Sequence, residues 1–187
     1  MWWVVGEIQE PVGVLLLVAV SSRYDVALDW AERRFVEQFG SLLLASERFD
    51  FTETDYYTST MGAGLKKQFL VFERLIDPGA LAAIKRQTND WEAEYAALRA
   101  HAEPRPLNLD PGYITPAKLV LASTKDHAHR IYLGDGIFAE VTLAYRKRAW
   151  QPLEWTYPDY RRDDFQRFFT QCREWLLNCG KPDGGVK

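Results

Sequence analysis

The chain has 187 residues, 47% of them hydrophobic and 26% charged, which are ordinary globular values with room for one well-buried domain. A net charge of -3 and a pI near 5.7 lack the basic imbalance of general nucleic-acid binders, so no nucleic-acid partner is expected. Seven Trp, nine Tyr and ten Phe make the aromatic content high, and such residues build either a firm core or an adhesive surface.

The start, "MWWVVGEIQEPVGVLLLVAVSS", is apolar but interrupted at Glu7 to Glu10. It has no basic stretch ahead of the apolar run, and Val12 to Val20 is too short to cross a bilayer. No membrane partner is expected, and a cytoplasmic location follows. The continuous run 12–22 reads as a central strand buried on both faces. Val26, Ala27, Trp30, Ala31, Phe35 and Phe39 recur at helical spacing, and Gly40 fits as the stop. Residues 42–51 read as a second strand and "KKQFLVFERLID" as a third. Pro78 opens a helix to about Leu98, with Leu81, Ile84, Trp91 and Tyr95 on or near one face. "RPLNLD" (105–110) is the fourth strand.

That order, β-α-β-β-α-β, predicts an α+β fold with a ferredoxin-like split βαβ core. A C-terminal extension follows: a short helix from Thr115-Pro116 to about Lys125, a β-hairpin turning at Gly134-Asp135-Gly136, an irregular aromatic stretch and a closing helix with an acidic start. The expected organisation is one domain over 1–187, with a core at about 12–114 and the extension at about 115–180. Cys172 and Cys179 are seven residues apart in the closing helix, roughly 10 Å, too far to bridge, and read as free buried thiols of a reducing compartment.

The hairpin register places Leu133 opposite Ile137, Tyr132 opposite Phe138, Ile131 opposite Ala139 and Arg130 opposite Glu140. Arg130 and Glu140 then read first as a cross-strand ion pair, with Glu140 as a catalytic or orienting carboxylate the second reading. Lys125, His127, His129 and Arg130 crowd into six residues of an acidic chain, a local positive field that attracts anions. An Asp110-Pro111-Gly112 turn leads into the predicted helix, whose N-terminus would add to that field. Asp110, Lys125 and Arg130 are therefore the candidate ligand-binding residues, and His127, His129 and Glu140 the candidate catalytic ones. His127-x-His129 admits a transition-metal reading or a helix-capping one, and no metal ligands are assigned from it.

Asp50, Glu53 and Asp55 lie in a long connection before Gly62-Ala63-Gly64 and Lys66-Lys67, which reads as a lid. They bear on the cofactor question, which stays open between none and a divalent metal accompanying a phosphate ligand. No G-x-S-x-G nucleophile motif is present. The expected partner is an anionic, phosphorylated or nucleotide-like small molecule. The alternative is a non-catalytic interaction or oligomerisation module, with the aromatic run Trp150, Trp155, Tyr157, Tyr160 as a homodimer or partner surface.

Four stretches, "GEIQEPV", "YYTSTMGAGLKKQFLVFERLIDP" (56–78), the block 108–143 beginning "NLDPGYITPAK", and "WTYPDYR" (155–161), together resemble the prokaryotic domain-of-unknown-function family 4416. The resemblance spans almost the whole chain and implies no established activity. Some members carry the label "GTP-binding protein"; this sequence has no G-x-x-x-x-G-K-[ST], and "MGAGLKKQF" lacks the spacing that cradles phosphates.

Overall fold

The computed structural model describes residues 6–53 and 57–179. Asp55 of the acidic loop lies outside the described residues. The apolar run forms β1 (Val14–Ser22), every residue of which is buried. Its even positions, Leu16, Val18 and Val20, pack beneath two helices, α1 (Asp25–Phe39) and α3 (Leu81–Ala97). Its odd positions, Leu15, Leu17 and Ala19, pack beneath α4 (Asp163–Cys179) with Phe165, Phe169 and Cys172. Two covered faces are why the strand shows no polar alternation.

Beside β1 lie β4 (Leu65–Ile76) and β5 (Asn108–Ile114), both antiparallel to it. The region 42–51 divides into β2 (Leu42–Ala45) and β3 (Phe49–Phe51), which both pair with β4. A short helix, α2 (Thr58–Met61), sits in the long connection that follows. Beyond β5 come β6 (Lys118–Ser123), β8 (Ile137–Arg146), β7 (Ile131–Gly134) and β9 (Ala149–Pro152), all antiparallel. The order is β2-β4-β1-β5-β6-β8-β7, with β3 also on β4 and β9 also on β8: a nine-stranded sheet in a mixed helix and sheet fold. α3 reaches across it, its Leu81 packing on Val120, Ala122, Ile137 and Ala139.

The short helix predicted at 115–125 is not formed. Thr115 does cap, its Oγ1 accepting from the N–H groups of Ala117 and Lys118 at 3.1 Å each. The chain then reverses after one turn, Thr115 N–H donating to Lys118 O at 2.9 Å, and continues as β6. A hydroxyl that caps a helix caps a tight turn equally well. The residues that follow settle the matter. Leu119 and Leu121 face the α4 side while Val120 and Ala122 face the α3 side, a strand buried on both faces. The helix N-terminus expected to attract an anion is therefore absent at Thr115.

The Asp110-Pro111-Gly112 turn is also replaced: all three residues lie in β5, paired with Ala19, Val18 and Leu17 of β1. Pairing along a central strand outweighs the local turn preference. Of the two thiols, Cys172 is buried as expected and Cys179 is exposed, at the outer end of α4. The aromatic run is split as well. Trp150 and Tyr160 are core residues packed against Phe169, whereas Trp155 and Tyr157 reach the surface.

Candidate functional site

The pairing of β5 with β6 stops early, and Pro111 is the reason. Only Gly112–Ile114 and Leu119–Leu121 are in register. Bonded positions alternate along an antiparallel pair, and the Thr115–Lys118 bond sets the phase. Tyr113 and Val120 come next, then Pro111 and Ala122. Pro111 has no N–H to give, so the ladder ends there. One step further, the main-chain groups of Leu109 turn to α3 instead. Its N–H donates to Glu92 Oε1 and its carbonyl accepts from Lys85 Nζ, each at 2.7 Å. Between the unpaired ends of β5 and β6 lies a cavity of about 440 Å³, within the range of small-molecule sites. Lys85 and Asn89 of α3 line one side, and the strap Tyr157–Tyr160 that leads into α4 lines another.

Five of the six residues singled out from the sequence line this cavity: Asp110, Lys125, His127, Arg130 and Glu140. His129 stands behind it, with Nε2 2.9 Å from Glu140 Oε2 and its ring stacked on Trp155 at 5.0 Å. The rings of His127 and His129 stack at 5.8 Å. The hairpin has the expected pairs Ile131–Ala139 and Tyr132–Phe138, but a bulge brings Gly134 rather than Leu133 opposite Ile137.

Arg130 is the hub, with a side chain only 2% exposed. Its Nε donates to Glu140 Oε2 at 2.8 Å; Nη1 donates to Ser123 Oγ at 2.7 Å and to Lys125 O at 2.9 Å; Nη2 donates to Tyr157 OH at 2.7 Å. Four bonds nearly saturate the five N–H groups of a guanidinium. Ser123 and Tyr157 accept from Arg130, so each keeps its own O–H for another acceptor. Burial pushes the Tyr157 phenol above its ordinary value, despite the opposing effect of Arg130, and it remains a neutral donor. Tyr57, which also lines the cavity, is raised by burial in the same way.

The cavity also contains residues that no sequence motif announced. Lys85 Nζ lies 3.0 Å from Asp110 Oδ1, and Asn108 Nδ2 donates to Asp110 Oδ2 at 2.7 Å. Burial alone would raise the Asp110 carboxyl. Lys85, the Asn108 bond and the more distant Lys67 outweigh it and hold the group below its usual range. Glu92 shows the reverse balance: burial raises it despite Lys85 and Arg105. Arg105 donates to Glu92 at 2.9 Å and also to Asn108. Lys67 forms a buried ion pair with Asp159, so β4 anchors the strap.

Some of this was available in the sequence. Lys85, Asn89 and Glu92 follow helical spacing beside the apolar stripe of α3. Of the Lys66-Lys67 pair, strand alternation sends Lys66 outward to Asp25 and Lys67 inward. Arg105 and Tyr157 lie outside the regular elements and Asp159 in a single 3-10 turn; the strand and aromatic patterns that included the first two say nothing of a polar role.

Glu53 of the acidic loop lines the cavity, held by Arg162 at 2.8 Å. Among the described residues, no group of three or more His, Cys, Asp or Glu is placed to hold a metal ion. No described helix is long and apolar enough to cross a membrane.

A family model described as "Domain of unknown function (DUF4416)" matches residues 12–176. The chain belongs to that family. The match covers both parts of the sheet and nearly all of α4, so the cavity between them lies within the family's domain. No curated protein and no solved structure matches the chain.

Proposed function

We propose that this member of the family binds a phosphorylated or nucleotide-like small molecule in the cavity between β5 and β6. The observation that carries the reading is convergence. Among the described residues five cationic side chains, Lys67, Lys85, Arg105, Lys125 and Arg130, against four carboxylates, line one cavity, an excess of positive charge in a chain of net charge -3. A low-dielectric cleft focuses such a field on an anion. Lys125 and His127, with the hydroxyls of Ser123 and Tyr157, form the anion-binding end. Arg130 acts through those two hydroxyls rather than by direct contact. His127 lines the cavity and takes the role of proton carrier, since imidazole exchanges protons near neutral pH. Glu140 orients Arg130 and His129.

The test is a thermal-shift and calorimetric screen of nucleoside phosphates, sugar phosphates and inorganic phosphate, repeated on Lys125→Ala. A ligand at a hundred times its Kd adds about 2.7 kcal/mol of stability. Binding that weakens about tenfold in the variant supports the reading, by the energy of one charge-assisted bond. No response to any of these anions sinks it.

We also read β1, α1, β2, β4, α3 and β5 as a ferredoxin-like split βαβ core. The strand order β2-β4-β1-β5 and the placement of both helices on one face support that reading. A cytoplasmic location is supported by the free Cys172 and Cys179.

A second functional reading, self-association, is favoured by a different surface from the aromatic run. On β7 the consecutive residues Ile131, Tyr132 and Leu133 are 73%, 60% and 44% exposed at the edge of the sheet. An uncharged edge strand of this kind pairs readily with a second copy. Sedimentation velocity of the wild type and Leu133→Lys tests it; a wild type that stays monomeric at high concentration removes it.

A further inference from the structure

Among the described residues four carboxylates line the cavity: two are buried, and a third, Glu53, is 22% exposed and tied to an arginine. Glu140 lies beneath Arg130 with a side chain 2% exposed, Asp159 is buried against Lys67 at 4%, and Glu53 is held by Arg162. Asp110 differs: its side chain is 31% exposed while its partner Lys85 is 5% exposed. Its two oxygens are fixed separately, Oδ1 by Lys85 at 3.0 Å and Oδ2 by Asn108 at 2.7 Å. A carboxylate oxygen has two acceptor sites, so each retains one. A phosphate placed against Asp110 would be repelled, and the part of the ligand that meets it must donate hydrogen bonds.

We infer that Asp110 is the specificity-determining residue of the site and selects phosphorylated compounds with two adjacent hydroxyls, as in a furanose diol. This rests on the anion-binding reading above and narrows it. The phosphate occupies the end formed by Lys125, His127 and the hydroxyls of Ser123 and Tyr157. The diol lies across the cavity, each hydroxyl donating to one oxygen of Asp110. The polar floor thus asks for a ligand with an acceptor-rich end and a donor-rich end, and inorganic phosphate satisfies only the first.

Isothermal titration of the wild type with ribose 5-phosphate, 2-deoxyribose 5-phosphate and inorganic phosphate tests this without any variant. The expected result is binding of ribose 5-phosphate about tenfold or more tighter than its deoxy counterpart, the scale of a hydrogen bond to a charged acceptor. In Asp110→Asn, with folding checked by circular dichroism, the preference falls to within about twofold and binding of the deoxy compound persists. Equal affinity of the wild type for the two sugar phosphates overturns the inference and leaves anion binding standing. A preference that survives in a folded Asp110→Asn protein also overturns it. Absence of binding by all three compounds overturns the anion-binding reading itself, and this inference with it.

Discussion

Between β1 and β4 eight residue pairs run from Val14–Ile76 to Ser22–Lys66, whereas between β5 and β6 there are three, Gly112–Leu121 to Ile114–Leu119. The first seam is closed by apolar side chains on both faces. The second is closed only where Gly112 allows it. A Cβ on Gly112 would stand 2.1 Å from Val120 O, so the strands touch there because that residue has none. One residue earlier Pro111 ends the ladder, and side chains from α3 take over the main-chain groups of Leu109. Where a sheet gives up its own pairing, its backbone must find partners elsewhere. In this protein those partners are charged groups, and they bring the polar cavity with them.

The contrast can be broken most severely at Gly112. Gly112→Ala should cost on the order of 4 kcal/mol or prevent folding, because the obstacle is backbone rather than a movable side chain; urea unfolding measures it. Leu17→Ala, in the closed seam, should cost roughly 3 kcal/mol and leave ligand affinity unchanged. A large affinity loss in a folded Leu17→Ala protein would show that the two seams are not separable.

Lys85→Met should cost roughly 2–3 kcal/mol by stranding Asp110 and the Leu109 carbonyl, somewhat less than a fully buried pair because Asp110 faces the cavity. The acid limb of stability should change with it. Asp110 titrates below its unfolded value, so its contribution is complete above the ordinary carboxyl range and is lost as pH falls through the folded value, below about pH 4. Lys85→Met should flatten that limb, read as urea midpoints against pH. Glu92, raised by burial, works in the opposite direction in both proteins. Pro111→Ala restores an N–H and should move stability by less than about 1 kcal/mol. The restored N–H at position 111, donating to the Ala122 carbonyl, should itself be protected from hydrogen exchange, and ligand binding should weaken as the seam closes.

The closed seam was legible because both of its strands announce themselves. Val14–Ser22 is an unbroken apolar run, and Phe69–Phe72 is the same kind of segment. α1, α3 and α4 were legible from helical spacing. The open seam was misread at both edges. "DPG" and "TP" are turn and cap signals whose local energies are small: pairing with β1, distant in sequence, overrode the first, and Thr115 caps the tight turn between β5 and β6 rather than a helix. Five of six candidate residues nonetheless line the cavity: hairpin register brings residues 125–130 beside Glu140, and pairing of β5 with β1 places Asp110. Lys85 and Arg105 were missed because their contribution depends on the packing of α3 across the sheet. The carboxylate they help to fix was named, but as part of a turn.

The two thiols differ as sharply as the seams do. Cys172 is enclosed under α4, and burial pushes its thiol up to about 12, while Cys179 is exposed two turns further along the same helix. Only a thiolate reacts readily with alkylating reagents. A maleimide dye should therefore attach first and selectively at Cys179, leaving Cys172 unmodified in the folded protein. The slow appearance of a second label would then time the lifting of α4 from the sheet, a clock for opening that needs no engineered residue.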